Sequence, residues 1–315
     1  LIPVIESATE KDVPVVVVSQ CLHAHVDLKA YAGGSEAMSH APILWGPAMT
    51  TWLARWMTAR SAVDRVRVLT QLRPAFLKPI VALLVGLTDP VVGLSMGQTA
   101  EVISRRYGIS RGEMDAYAVR SHLRLAAAQA EGRLGEIVPL IDDRGQIFDQ
   151  DDGVRLDSSV EKLAKLKPFF DREFGNVTPG NSSQITDGAA WVVLASAGAV
   201  KQYDLPVLGR LVDSQWAALD PRQMGFGPVN AAVPLLKRRR LGLAKIDYWE
   251  INEAFAGQVL ACLRAFNDDD YCREELRQRG AMGEIDQERL NVDGGAVALG
   301  HPVGSSGARQ HSEAV

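Results

Sequence analysis

The chain has 315 residues, enough for two domains or one elaborate domain. Its 47% hydrophobic and 23% charged residues are ordinary for a globular protein, and its net charge of −4 gives no reason to expect nucleic acid as a partner. The three cysteines, Cys21, Cys262 and Cys272, are too few and too scattered for a disulfide framework or a zinc site.

The first predicted element is a strand of β-branched residues. The run at 13–18 is typical of a central strand that is buried on both faces. Cys21 follows its C-terminal end, where open α/β sheets place reactive groups. Cys21 is therefore a candidate nucleophile, and the alternative is a small residue buried at a strand end.

Two groups of residues have side chains of the metal-binding type, but their spacing predicts no metal site. His23 and His25 alternate as on a strand, without an acid or a cysteine at ligand spacing. The acidic run at 149–152 lacks the flanking pattern of a calcium loop and predicts a solvated loop. We therefore expect no metal.

The segment 46–90 combines apolar and basic residues. Trp52 and Trp56 lie on a short predicted helix, with Arg55 and Arg60 beside them. One interpretation is a helical hairpin packed against the rest of the chain or against a partner subunit. The other is a basic amphipathic element that lies in a membrane surface. No apolar run approaches the ~20 residues of a spanning helix, and we expect no signal peptide.

A helix is predicted after residue 110. Ser110 and Glu113 form a capping box, and Gly132 marks the expected end. One face collects small or apolar residues at helical spacing: Met114, Ala118, Ser121, Leu125 and Ala128. Further apolar runs at 191–194 and 207–212 predict strands. Strands that alternate with helices imply a layered α/β architecture.

The stretch from residue 248 onward carries the candidate chemistry. Residues 248–251 predict a short strand, and Asn252 stands where the N-cap of a helix over 253–266 is expected. A glycine-rich loop farther on holds His301, a candidate hydrogen-bond donor or proton carrier. The plainer alternatives are a helix cap and a loop histidine bonded to backbone.

These two motifs resemble the thiolase family. The first is Asn-Glu-Ala-Phe from Asn252, and the second is Gly-Gly-Ala-Val-Ala-Leu-Gly-His-Pro-x-Gly-x-Ser-Gly-Ala-Arg from Gly294. Other segments similar to the family lie at 32–42, 92–101 and 176–190. The resemblance thus covers nearly the whole chain except 46–90.

The resemblance implies the α/β class and the thiolase fold, with two duplicated α-β-α-β-α layered halves and an inserted helical loop domain. It predicts an N-terminal half at 1–42 and 184–205, with 1–42 incomplete against the family pattern. The loop domain would span 43–183 and include 46–90. A truncated C-terminal half would span 206–315.

The resemblance also implies thiolytic cleavage of 3-oxoacyl-CoA to acetyl-CoA and a shortened acyl-CoA, or the reverse Claisen condensation. Coenzyme A would be a substrate, and no cofactor is implied. Cys21 would form the acyl-enzyme, His301 would assist its deprotonation and donate to the thioester oxygen, and Asn252 would hold a donating water. Substrate contacts would come from four further residues: Met96, Ser183, Ala254 and Phe255.

The chain also departs from the family pattern. Only residues 22–26 separate Cys21 from Asp27, after which the family pattern resumes at 32–42, whereas the family has a long helix after its cysteine. Neither Cys262 nor Cys272 lies in the family's Cys-x-Gly motif. These departures predict either an incomplete chain or a degenerate member. The alternative function is thus a catalytically inactive acyl-CoA-binding or scaffold subunit. β-Ketoacyl synthases share the fold but use two histidines and lack Asn-Glu-Ala-Phe.

Residues 41–45 and the insertion 46–90 most resemble the long-chain thiolase subunit of the trifunctional fatty-acid oxidation complex. That resemblance implies a homodimer or tetramer, with a hydratase/dehydrogenase subunit as a further partner. It also implies peripheral membrane contact through 46–90. The cysteine content suits a reducing compartment, and we expect a cytoplasmic protein.

Overall fold

The computed structural model describes residues 85–313, with side chains to residue 310. The chain divides into two compact units, and between residues 85 and 313 the boundary falls after Leu94, so 85–94 belongs to one unit and 95–313 to the other. In the first unit the Asp89 carboxylate accepts hydrogen bonds from the backbone N–H groups of Val91 and Val92, at 2.8 and 3.0 Å. The predictions for Cys21, for 13–18 and for 46–84 lie outside the described residues.

The second unit is mainly helical in its described part. Its helices are α1 Met96–Arg106, α2 Arg111–Ala130, α3 Val160–Leu163, α4 Ala197–Tyr203, α5 Gly227–Arg239, α6 Ala256–Phe266, α7 Asp269–Glu274, α8 Ala296–Leu299 and α9 Ser306–Glu313. Short 3₁₀ helices lie at Pro221–Phe226, Leu243–Lys245 and Gln287–Arg289. Strands β1 Leu140–Ile141 and β2 Ile147–Phe148 pair antiparallel, with Leu140 opposite Phe148. Among the helices between residues 85 and 313, none is both long and apolar enough to cross a membrane.

The main core lies where α1, α2 and α6 meet the 3₁₀ helix that precedes α5. Its largest fully buried apolar side chains include Ile103, Met114, Phe226 and Phe266. The ring of Phe226 meets Tyr107 edge-on, with centroids 5.7 Å apart. Helix α6 is apolar on most of its surface and is enclosed on several sides, as expected for a central helix.

Helix α2 confirms the prediction made for it. Ser110 and Glu113 form the capping box, and the helix ends at Ala130, two residues before Gly132. Every residue of the predicted inner face is buried. The same helix also buries polar side chains, including Asp115 and His122, which an apolar pattern alone does not predict.

The three predicted strands at 191–194, 207–212 and 248–251 are not regular strands, so these predictions are wrong. A strand needs a neighbour that exchanges backbone hydrogen bonds with it. Trp249 forms a single parallel bridge with Leu290, and the described part of the chain offers the other two runs no strand partner. Their apolar side chains are accordingly exposed, by 53% at Trp191 and 82% at Leu208.

The predicted N-cap at Asn252 is also wrong. Helix α6 begins at Ala256, and Phe255 occupies the N-cap position without a side-chain cap. Phe255 forms an antiparallel bridge with Ser182, which holds the residues before α6 outside the helix. Backbone pairing therefore prevails over the capping preference of asparagine.

A loop that contains two glycines lies close against α2. Gly294 has a φ of +85°, and a Cβ there would lie 2.6 Å from the carbonyl oxygen of Ser121 and 2.9 Å from Cβ of Leu125. The backbone of the loop can approach the helix this closely only because the residue has no side chain. Gly294 thus fixes the start of the segment that leads to His301.

Replacement of Gly294 tests this contact. Gly294→Ala should lower the free energy of unfolding by about 2 to 4 kcal/mol, because it combines left-handed backbone strain with overpacking. Gly112→Ala in α2 is the control: nothing lies within 4 Å of its added Cβ, and a gain of about 0.5 to 1 kcal/mol is expected. Urea unfolding followed by circular dichroism measures both. Equal midpoints for the two variants would contradict the close approach.

Candidate active site

Residues from separate motifs meet at the start of α6. The backbone N–H of Ser183 donates to the carbonyl of Ala254 at 2.9 Å, beside the bridge between Ser182 and Phe255. The structure thus brings together three of the predicted substrate-binding residues: Ser183, Ala254 and Phe255.

The segment 182–184 also contacts the loop that carries His301. The N–H of His301 donates to the carbonyl of Gln184 at 2.9 Å. The side-chain amide of Gln184 donates to the carbonyl of Gly153 at 2.9 Å and lies 3.4 Å from that of Ala298. Residues 182–184 therefore lie between the loop that carries Asn252 and the loop that carries His301.

The two predicted catalytic side chains of this unit are in contact. Nδ2 of Asn252 lies 3.4 Å from Nε2 of His301, although 49 positions separate them in sequence. Both residues are half-buried. The Oδ1 atom of Asn252 is buried and has no hydrogen-bond partner among the described residues.

The other ring nitrogen of His301 is held by Ser306. Nδ1 of His301 lies 2.6 Å from Oγ of Ser306, which also lies 3.2 Å from the carbonyl oxygen of Pro302. Because a carbonyl only accepts, we assign the Ser306 hydroxyl proton to Pro302 and the ring proton to Nδ1. Nε2 then carries a lone pair that can accept from the Asn252 amide. This tautomer presents a base at Nε2.

The imidazole of His301 is held neutral. Burial, and to a smaller extent the positive charge of Arg309, lowers the pKa of His301 to about 4. The unfolded chain binds this proton near pH 6.5, so the folded state loses stability as the pH falls from about 6.5 towards 4. The stabilising contribution of the neutral ring is fully present above that range.

Met96 lies at the start of α1 and is half-buried. The Phe170 ring packs directly against Gly97, the next residue along the chain. That ring also meets Phe255 edge-on, with centroids 5.8 Å apart and planes at 86°. The start of α1 is thus connected to the candidate substrate residues through Phe170.

The two cysteines of the described chain have no nucleophilic character. Cys262 and Cys272 are both buried. The Cys262 thiol donates to the carbonyl of Gly225 at 3.1 Å, and burial raises its pKa to about 12. Burial also raises the pKa of Cys272. A buried thiol that stays protonated is inert, so neither cysteine competes for the role predicted for Cys21.

Sequence reasoning missed the buried carboxylate of Glu253, next to Asn252. Oε1 accepts from the Tyr117 hydroxyl at 2.8 Å and from Nδ2 of Asn291 at 2.9 Å. Oε2 accepts from the Ser121 hydroxyl at 2.6 Å and from the N–H of Val297 at 3.3 Å. A glutamate is predicted to be exposed unless a motif is known to bury it, and no periodicity signals these partners. Sequence reasoning also missed Ser306, because no periodicity signals its contact with the His301 ring.

Metal ligands are not assembled in this part of the protein. Between residues 85 and 313, no group of three or more His, Cys, Asp or Glu side chains could hold a metal ion. The acidic run at 149–152 is exposed, as predicted for a solvated loop.

Comparisons with known proteins match both halves of the chain. The family model described as "Thiolase, N-terminal domain" matches residues 23–198, and "Thiolase, C-terminal domain" matches 205–315. Cys21 lies just before the first match. A 3-ketoacyl-CoA thiolase of Erwinia tasmaniensis is 38% identical over 281 residues, which are 88% of this chain and 64% of that protein. The chain therefore spans just under two thirds of this relative's length.

Solved structures of thiolases also match this chain. Human mitochondrial 3-ketoacyl-CoA thiolase in complex with CoA matches with a TM-score of 0.62 at 38% identity, over 74% of this chain and 54% of that one. The dimeric peroxisomal thiolase of Saccharomyces cerevisiae matches with a TM-score of 0.61 at 38% identity, over 70% of this chain and 52% of that one.

The tautomer of His301 is testable by replacing Ser306. Ser306→Ala removes the acceptor of Nδ1–H, a bond worth about 1 kcal/mol, so the population should shift roughly fivefold towards the Nε2–H form. Side-chain ¹⁵N chemical shifts of histidine-labelled protein measure the change. Ser305→Ala is the control, because its hydroxyl contacts Pro302 but is not bonded to the ring. The assignment is wrong if Ser306→Ala leaves the shifts as they are.

Proposed function

Because this chain belongs to the thiolase family and shares its fold, we propose that the protein cleaves 3-oxoacyl-CoA by thiolysis and can run the reverse condensation. The contact between Asn252 and His301 carries the proposal. It joins two polar groups from separate motifs, and in the assigned tautomer Nε2 of His301 carries a lone pair. Such a pair suits proton transfer and stabilisation of a developing oxyanion.

In the proposed reaction Cys21 supplies the nucleophile. Nε2 of His301 takes the thiol proton, and the thiolate adds to the 3-oxo carbonyl carbon. Collapse of the adduct breaks the C2–C3 bond and leaves the electron pair on C2 of the acetyl-CoA enolate. C2 then takes the proton held on Nε2, so the proton lost by Cys21 ends on acetyl-CoA. Coenzyme A gives its thiol proton to Nε2 and its thiolate attacks the acyl-enzyme carbonyl. The bond from the acyl carbon to the Cys21 sulfur breaks, and the released Cys21 thiolate takes that proton back.

Asn252 and His301, called the polar pair from here on, have a second role in this scheme. The protonated Nε2 and a water held by Asn252 donate to the thioester oxygen, on which the negative charge of the enolate develops. In this scheme the thiolate that gives its proton to Nε2 would raise the pKa of His301, because opposite charge stabilises the imidazolium. The low pKa of the resting ring keeps Nε2 free to accept a proton at neutral pH.

We assign the binding of the acyl-CoA to the residues around Ser183. Ser183 would bond the pantetheine arm, while Met96, Ala254 and Phe255 would line its path. The placement of Ser183 against Ala254 supports this assignment. The human relative was solved with CoA, and coenzyme A is the proposed second substrate here, with no cofactor.

The proposal extends to assembly. The yeast relative is dimeric, and a homodimer or tetramer is proposed for this protein. A hydratase/dehydrogenase subunit and peripheral membrane contact through 46–90 stay predictions, as does the cytoplasmic location. The predicted domain boundaries also stay predictions.

Covalent labelling tests the nucleophile. Incubation of the full chain with an acyl-CoA should place the acyl group on Cys21, detected by peptide mass mapping. Cys262 and Cys272 are internal controls, because buried thiols should stay unlabelled. Label on either of them, or no label at all, would contradict the assignment. An unlabelled protein that still binds acyl-CoA would instead fit the inactive, acyl-CoA-binding alternative.

Kinetics of site variants test the polar pair. His301→Ala should lower kcat by roughly 100- to 1000-fold with little change in KM, because the lost donor acts mainly in the transition state. Asn252→Ala should cost less, since other groups can hold a water imperfectly. Asn267→Ala is the control: its amide bonds to Glu284 at the exposed end of α6, and turnover should be unchanged. Near wild-type turnover in both site variants would refute the proposed roles.

A further inference from the structure

The Glu253 carboxylate is almost fully enclosed. It is 1% exposed and accepts four hydrogen bonds, two on each oxygen. Burial of a carboxylate costs several kcal/mol unless donors replace the lost water. The protein therefore builds a complete donor shell around one charge.

The donors come from separate parts of the chain. Tyr117 and Ser121 are on α2, Asn291 is in the loop after the last 3₁₀ helix, and Val297 is in α8. Three separate stretches of the chain are thereby bonded to Glu253, the residue that follows Asn252.

One side of this network fixes the backbone before Asn252. Asn291 accepts from the N–H of Ile251 at 2.9 Å and donates to the carbonyl of Ile251 at 2.8 Å. Its amide also donates to Glu253. Asn291 can make all three bonds in only one orientation of its amide. Asn252 is thus held between two anchored neighbours.

The other side fixes the approach to His301. The N–H of Val297 bonds to Oε2 of Glu253, and the N–H of Gly295 donates to the Ser121 hydroxyl at 3.1 Å. A Cβ on Gly295 would lie 2.6 Å from Oε2, so glycine is needed for the carboxylate to fit. Helix α8 ends at Leu299, two residues before His301.

We propose that Glu253 is a positioning residue, whose buried carboxylate sets the distance between the Asn252 amide and the His301 imidazole. The proposal deepens the proposed function and rests on it for its kinetic consequence. The carboxylate touches neither reacting atom. It acts through the two segments that end at Asn252 and His301.

The chemistry of the donor shell distinguishes Glu253 from glutamine. A carboxylate accepts hydrogen bonds on both oxygens, whereas the glutamine amide accepts on its oxygen and donates from its nitrogen. If the amide nitrogen took the place of Oε2, it would face the N–H of Val297. In the other orientation it would face the Asn291 amide, which cannot rotate without losing both bonds to Ile251. Either way, two donors oppose each other in a buried site.

The experiment compares Glu253→Gln with Glu101→Gln in the full chain. Glu101 is a matched control, because it is 5% exposed and accepts backbone N–H groups of Asn176 and Val177 at 2.8 to 3.1 Å. It makes no contact with either loop of the polar pair among its described bonds. Both variants should unfold at lower temperature, because each opposes donors in a buried site.

Only Glu253→Gln should change the polar pair. The side-chain ¹⁵N shifts of His301, assigned by their loss in His301→Ala, should move in Glu253→Gln and stay in Glu101→Gln. We expect kcat to fall about 10- to 100-fold in Glu253→Gln, as for an ångström-scale misplacement, with KM for coenzyme A within about twofold. Glu101→Gln should keep the parental kcat.

Unchanged His301 shifts in folded Glu253→Gln, or equal shifts in both variants, would overturn the proposal. Should Glu253→Gln fail to fold, Ser121→Ala removes one donor and leaves the carboxylate in place. It should then move the His301 shifts in the same direction, and the absence of that change would also refute the proposal. The shifts need no turnover, so a parent without thiolase activity would refute the proposed function and leave the positioning test intact.

Discussion

One buried charge constrains the described part of this protein. The carboxylate of Glu253 can be buried at low cost only if hydrogen-bond donors replace the lost water, and its four donors belong to α2, to the loop of Asn291 and to α8. Three stretches must therefore converge before the charge is stable. The same convergence brings Asn252 within 3.4 Å of His301. Burial of one glutamate and assembly of the polar pair are parts of one packing solution.

Helix α2 supplies more of the framework through its other buried polar side chains. Asp115 accepts from the amide of Asn181 at 2.9 Å, which places the segment that continues to Ser183. His122 accepts from the N–H of Arg155 at 3.2 Å, which anchors another loop. Each bond satisfies a buried group, so its loss would leave an unpaired donor or acceptor. The helix thus organises the loops through polar contacts as well as apolar ones.

Sequence patterns predicted the parts of the fold that depend on local rules. The capping box at Ser110 and the apolar spacing of α2 need only neighbouring residues, and both were confirmed. The runs at 191–194 and 207–212 failed, because a strand depends on a partner that spacing cannot supply. Asn252 and His301 were found through motifs, and the structure places Nδ2 of Asn252 3.4 Å from Nε2 of His301. Glu253 escaped notice because its donors lie up to 136 positions away.

The spacing of the motif around His301 has a physical explanation. The carbonyl of Pro302 accepts from the hydroxyl of Ser306 and, at 3.1 Å, from its N–H, as the chain turns into α9. A carbonyl oxygen can only accept, so in this contact the Ser306 hydroxyl donates its proton to Pro302. In the tautomer assigned above, the Ser306 oxygen accepts from Nδ1 of His301, and the Nε2 lone pair faces the Asn252 amide. A base is thereby prepared without a buried negative charge beside it, which a carboxylate partner at Nδ1 would have introduced.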